Sequence, residues 1–195
     1  VEGQTAPFLR GFSYEASASR ANWTEGVSMP GYGAALKQRL REYGPWTFGF
    51  YGFLECLPYR DNTLTLDPVR KDKWGMPILN TRFEWGQNER ALAKQMVSDA
   101  TEMLKSAGAK EVSLPPEELP PGGFGIHEMG TARMGRDPAT SFLNAHNQSH
   151  EVGNLFVTDG SSMPSVAAQN PSLTFMALTA RAANYAVQQM KAGAI

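Results

Sequence analysis

The chain has 195 residues, an apolar fraction of 42% and a formal net charge of −1 at neutral pH. That length allows one ordinary domain or part of a larger one, and the near-zero charge gives no electrostatic case for nucleic acid or an anionic membrane surface. Cys56 is the single cysteine, which excludes an internal disulfide and a cysteine-built zinc site, and no apolar run reaches the about 18 residues of a bilayer span. The opening residues, VEGQTAPFLRG, show neither an initiator Met nor a basic-then-apolar leader pattern, so the expectation is a chain that begins inside a longer protein.

In chain order, Phe8 to Tyr14 reads as a short strand and residues 31–43 as a helix bounded by Pro30-Gly31 and Gly44-Pro45. WTFGFYGFLECL, residues 46–57, alternates aromatics with glycines, a strand pattern in which glycine admits a close neighbour. That neighbour is either a substrate or another layer of the sheet. NTLTL at 62–66 alternates as a half-buried strand, and Met76 to Trp85 supplies another. From Asn88 to Ala107 the residues Leu92, Met96, Ala100, Met103, Leu104 and Ala107 share one helical face, which Gly108 terminates. Lys110 to Leu114 reads as a strand, PPEELPPGG as a surface loop, and NLFVT at 154–158 as a buried strand. Ser172 to Met190, with Ala at 177, 180, 183 and 186, is a long helix. The order of elements suggests α+β, with a mostly antiparallel sheet and flanking helices.

The chemistry-bearing candidates sit in loops. HEMGT at 127–131 opens like a zinc-protease helix, but Thr131 stands where the second His is required, and the surrounding GGFGIHEMGTARMG is too rich in glycine for a helix interior. The glycine clusters beginning at Gly31 and Gly123 miss the last glycine of a dinucleotide fingerprint and read as turns. Gly160-Ser-Ser-Met-Pro lacks the second glycine of a nucleophile elbow, although Asp159, Ser161 and a His could form a triad. His146 and His150 have helical spacing without a helix signal, a poor basis for a metal site. Asn22-Trp-Thr24 and Asn147-Gln-Ser149 are glycosylation sequons. Asn170 precedes Pro171 and the long helix, so it is either an ordinary cap or an amide aimed at a site beside a positive helix end. His127 is either a hydrogen-bonding loop residue or a base in a loop whose glycines admit a ligand, with Glu128 able to hold the tautomer.

Three ordered stretches, HEMGTARMG, NLFVTDGSSMPS and QNPSLTFMALTARAANYAV, together resemble the C-terminal part of a glucose–methanol–choline (GMC) oxidoreductase. ECLPYRDNTLTLDPVRKDKWGMPI resembles the family's substrate domain, so the likeness covers most of the chain. Within the family it is most similar to the bacterial branch of gluconate dehydrogenase large subunits and FAD-dependent glucose dehydrogenases.

The resemblance implies an FAD enzyme that oxidises an alcohol, its substrate an alcohol or sugar, by hydride transfer to flavin N5. By motif position it places the general base on His127 and its hydrogen-bonding partner on Asn170. Asp159, Gly160 and Pro171 fall where the family touches the cofactor. Residues 1–150 then belong to the substrate-binding domain, and 151–195 return to the FAD-binding domain. The family's N-terminal Rossmann half is absent from this sequence, so the chain reads as a C-terminal fragment that is inactive alone. A small subunit and a cytochrome c subunit are implied partners, and a bacterial periplasmic location is implied by the same branch. The alternative of another class is a cofactor-free binding or scaffold module that keeps the fold.

Overall fold

The computed structural model describes residues 6–20, 26, 28–42 and 44–195. Tyr43 and the Asn22 sequon lie outside the described residues. The architecture is a small α+β arrangement in two compact units, Ser13–Phe53 on the one hand and Val1–Phe12 with Leu54–Ile195 on the other.

In the smaller unit, strand β1 (Phe12–Arg20) bonds to β2 (Trp46–Leu54), with helix α1 (Gly33–Arg41) between them in sequence. The strand expected from Phe8 starts later for a local reason. The Asn88 side chain takes both backbone groups of Leu9, at 2.7 and 3.2 Å, and Arg10 adopts a left-handed φ of 72° that breaks the extended run. Helix α1 likewise starts after the predicted Gly31, which takes a non-helical, positive φ of 121°. Along β2 the aromatics make sheet packing: Phe50 meets Tyr14 at 5.3 Å and Phe48 at 5.2 Å between ring centres.

The larger unit begins with an antiparallel hairpin of β3 (Thr63–Lys71) and β4 (Pro77–Arg82). β3 runs past the predicted Leu66 through a register shift that Asp67 supports. The Asp67 carboxylate accepts the N–H groups of Arg70 and Val69 and the Arg70 guanidinium. Those bonds, the Arg70 N–H foremost, lower its pKa to about 2. Two predicted strands do not form. Residues 110–114 find no ladder partner among the described residues, and Pro115 follows them. At 154–158 only a single bridge survives, between Gln148 and Phe156, because the Asn147 side chain takes the Val157 carbonyl at 2.9 Å in place of a second strand.

Helix α2 (Gln87–Ser106) matches its predicted span within one residue at each end and buries Glu89, Leu92 and Ala93. Glu89 organises this region. One carboxylate oxygen accepts the Leu57 N–H at 3.0 Å and the Asn88 amide at 3.2 Å, and the other accepts the Gly86 N–H at 3.0 Å. The last is the reach-back bond of a capping box, which satisfies a helix-start donor. Gly86 has no side chain because the Tyr59 hydroxyl occupies the space a Cβ would need. Burial and a hydrogen bond to Glu89 push the Tyr59 phenol up to about 12. Burial and the Glu89 charge push Cys56 up to about 11, so it stays a thiol at neutral pH. Helix α3 (Ser172–Lys191) completes the unit. None of the described helices is long and apolar enough to cross a membrane.

Burial alone would raise the Glu89 pKa, but the bonds from Leu57, Tyr59 and Asn88 outweigh it and hold the carboxyl below its ordinary value. A carboxyl so lowered stabilises the fold in full above the ordinary carboxylate range. That contribution is lost as pH falls through the folded value. Glu89→Gln leaves several donors competing for one oxygen, an expected cost of about 1–3 kcal/mol at neutral pH. Urea midpoints of both proteins should therefore differ at pH 7 and converge as pH falls below about 4. A gap independent of pH would show that the charge of Glu89 contributes nothing.

Candidate active site

The loop that carries His127 is anchored at both ends. Upstream, Trp85 donates from Nε1 to the Pro120 carbonyl at 2.7 Å, and Gly122 lies against the Phe83 ring where any Cβ would clash. Phe83 and Trp85 brace each other edge to face at 4.7 Å. Downstream, the Ala132 and Met134 N–H groups donate to the carbonyls of Ser161 and Ser162 at 2.9 and 2.8 Å. Gly130, at φ 89°, brings its Cα so close to the chain at 163–164 that a Cβ would lie 3.3 Å from the Pro164 carbonyl oxygen. Between these anchors Ile126 is held at φ 66°. A β-branched residue there costs of order 1–3 kcal/mol, and such residues cluster at functional sites.

The turn after the predicted strand at 154–158 starts at Asp159. Its carboxylate accepts the Ser161 N–H at 2.9 Å and the Ser161 hydroxyl, capping a 3₁₀ turn over Gly160–Ser162. The buried Ser162 hydroxyl donates to the Asp159 carbonyl at 2.8 Å. Gly160 is the contact point of three segments. A Cβ there would sit 2.6 Å from Met129 Sδ and 3.2 Å from Phe175 Cζ. The missing side chain thus lets the His127 loop, the Asp159 turn and the first turn of α3 meet.

Helix α3 follows the buried Pro171 directly. Its first internal bond is Phe175 N–H to the Pro171 carbonyl at 3.1 Å. The N–H groups of Ser172, Leu173 and Thr174 donate to no described residue, and the first turn holds no acidic side chain. A 20-residue helix therefore presents open donors and a partial positive charge beside Asn170.

Of the predicted site residues, His127 and Gly160 are half-buried, Pro171 is buried, and Asp159 and Asn170 are exposed. Neither the His127 ring nor the Asn170 amide hydrogen-bonds to any described residue. Glu128 does not hold the imidazole as expected: its Oε1 accepts the Gly125 N–H at 3.1 Å, within its own loop. The triad reading of Ser161 fails on geometry, because Ser161 bonds Asp159 directly with no imidazole between them.

The other two histidines are occupied. His146 stacks on Tyr185 of α3 at 3.9 Å. His150 Nε2 lies 3.2 Å from both the Gly135 carbonyl and Ser141 Oγ. Ser141 gives its own proton to the Asp137 carbonyl at 2.7 Å, so Nε2 is the donor to both. No cluster of three metal-ligating side chains exists among the described residues. Asn147, the second sequon, is fully buried at a left-handed φ of 63°. Its amide donates to Val157 and accepts from Arg181 at 2.9 Å, so the folded chain offers no acceptor there.

The motifs did not reveal Met129, whose role depends on contact with Gly160, nor the pairing of Glu55 with Ser165. The Ser165 hydroxyl donates to Glu55 Oε1 at 2.8 Å, and Arg10 Nε lies 3.5 Å from the same oxygen. A contact 110 residues apart leaves no local signal.

Residues 58–179 match the family model described as GMC oxidoreductase. The chain is 37% identical over 183 residues to the 2-methyl-1,2-propanediol dehydrogenase of Mycolicibacterium austroafricanum, covering 91% of this chain and 33% of that protein. It is 29% identical over 186 residues to the fructose dehydrogenase large subunit of Gluconobacter japonicus, covering 94% and 33%. It is 34% identical over 127 residues to the gluconate 2-dehydrogenase flavoprotein of Pantoea cypripedii, covering 62% and 20%. The chain thus spans at most about one-third of the length of these relatives. The match over most of the chain, together with the motifs gathered around Gly160, means that this protein belongs to the GMC oxidoreductase family.

Proposed function

We propose that the chain is the C-terminal portion of an FAD-dependent oxidoreductase that oxidises an alcohol group of a polyol, sugar or sugar acid. The observation that carries this reading is the meeting of Met129, Gly160 and Phe175. It brings the loop of His127, the turn of Asp159 and the helix start behind Asn170 into one neighbourhood. The family is typically flavin-dependent, and the relatives are named for a diol, a sugar and a sugar acid. In this proposal residues 1–150 form most of the substrate-binding domain and 151–195 return to the FAD-binding domain. A small subunit, and a cytochrome c subunit as electron acceptor, are proposed as partners; the name of one relative as a large subunit supports only that it has a further subunit.

The residues present fit such a cofactor. The open N–H groups of residues 172–174 are donors suited to carbonyl or anionic oxygens at the edge of a flavin. Pro171 fixes the helix start, and Asp159 with Gly160 supplies a tight turn beside it. A flavin bound there would supply the acceptor for the hydride of the substrate carbon. His127, with no hydrogen bond to a described residue, takes the proton from the substrate hydroxyl. Asn170 cannot act as a base; its amide hydrogen-bonds the alcohol oxygen and fixes its direction. The helix end behind it would favour negative charge on a bound flavin.

Helix α3 is apolar on two faces. Ala182 and the half-buried Leu178 and Tyr185 pack inward, whereas Leu173, Met176, Val187 and Met190 share the opposite face and are exposed. A helix apolar on both sides belongs in an interior. We infer that the remainder of the longer protein covers this face. The chain of residues 1–195 should therefore bind a hydrophobic dye strongly, and Met176→Glu with Met190→Glu should lower that binding. An undiminished signal in the double variant would place the exposed surface elsewhere.

In the complete protein, stopped-flow flavin reduction tests the assignments. His127→Ala should slow reduction by roughly 10²–10⁴-fold with flavin content unchanged. Asn170→Ala should cost less, about 0.5–1.5 kcal/mol of barrier for one neutral hydrogen bond. Asp159→Ala should instead lower the flavin bound, read from its absorbance. Reduction of His127→Ala at the wild-type rate would remove the base from this residue, and a colourless complete protein would favour a binding module.

A further inference from the structure

Residues 164–170 connect the Asp159 turn to Asn170 without regular secondary structure. Their N–H and carbonyl groups take part in no backbone hydrogen bond among the described residues. The segment makes one hydrogen bond to a described residue, from Ser165 Oγ to Glu55 Oε1 at 2.8 Å. Glu55 is well fixed for the purpose. Its side chain is 15% exposed, its N–H donates to the Gly11 carbonyl at 3.1 Å, and Arg10 lies 3.5 Å from the accepting oxygen. A charged acceptor makes the bond stronger than a neutral one.

We propose that Glu55 and Ser165 are a positioning pair that sets the 164–170 segment and thereby the direction of the Asn170 amide. The proposal rests on the reading of Asn170 as the residue that orients the substrate oxygen. The mechanism is entropic: a tether at Ser165 restricts a segment that has no ladder of its own. Gly130 packs on the Pro164 carbonyl at the start of the segment, and residues 166–170 make no hydrogen bond to a described residue.

The test uses the complete flavoprotein. Ser165→Ala and Glu55→Ala should each lower the limiting rate of flavin reduction by up to about tenfold, and by no more than Asn170→Ala does, with flavin content and melting temperature close to wild type. Ser165→Thr, which keeps the hydroxyl, and Glu55→Gln, which keeps an acceptor oxygen, should restore most of the rate. In an Asn170→Ala background Ser165→Ala should have little further effect, because the tether acts through the amide already removed. Additive losses would overturn the proposal.

A second measurement does not depend on catalysis. A nitroxide on Gln169→Cys, in a Cys56→Ser background, should lose the slow-motion part of its spectrum when Ser165→Ala is added. An unchanged spectrum would overturn the tether itself. If the label loosens while Asn170→Ala reduces at the wild-type rate, the tether stands and the role given to Asn170 fails.

Discussion

The site depends on a side chain that is missing. Gly160 gives up its Cβ so that Met129 and Phe175 can close on the same point. That contact joins a glycine-rich loop, a capped 3₁₀ turn and the open end of α3, three segments that sequence alone keeps apart. A Cβ at 160 would lie 2.6 Å from Met129 Sδ, so the end of the Met129 side chain would have to shift away from the turn. The two N–H bonds from Ala132 and Met134 to the Ser161 and Ser162 carbonyls then fix the loop's register against the turn. The proposed chemistry would inherit its geometry from this packing.

A second constraint holds the scaffold. The buried Glu89 carboxylate gathers donors from Leu57, Tyr59, Gly86 and Asn88, and Asn88 in turn clamps Leu9. A buried charge is tolerable only when its lone pairs are satisfied, and here several donors share it. Glu55 lies two residues before Leu57 in the chain, so the segment fixed by Glu89 also carries the residue that reaches Ser165. Scaffold and site are linked through residues 55–57.

The long helices were legible in the sequence because their signals are local. Helix α2 repeats its apolar residues along one face and stops near Gly108, and α3 starts at the Pro171-Ser172 step. The strands were less so. β1 starts at Phe12 because Asn88, far away in sequence, satisfies Leu9 first. Residues 154–158 look like a strand, yet the amide of Asn147 takes the place of a ladder. The proposed site residues were read as motifs, from resemblance, whereas Met129 and the Glu55–Ser165 bond were not. Packing against a glycine and a hydrogen bond across 110 residues have no periodicity to reveal them.

The central claim is that His127 and Asn170 address one substrate oxygen. A crystal structure of the complete flavoprotein with a bound alcohol or unreactive analogue measures this directly. The account predicts an imidazole nitrogen of His127 and the Asn170 amide nitrogen both at hydrogen-bond distance, about 2.6–3.2 Å, from the same ligand oxygen. A ligand oxygen held by one of them alone, with the other turned away from the flavin, would contradict it.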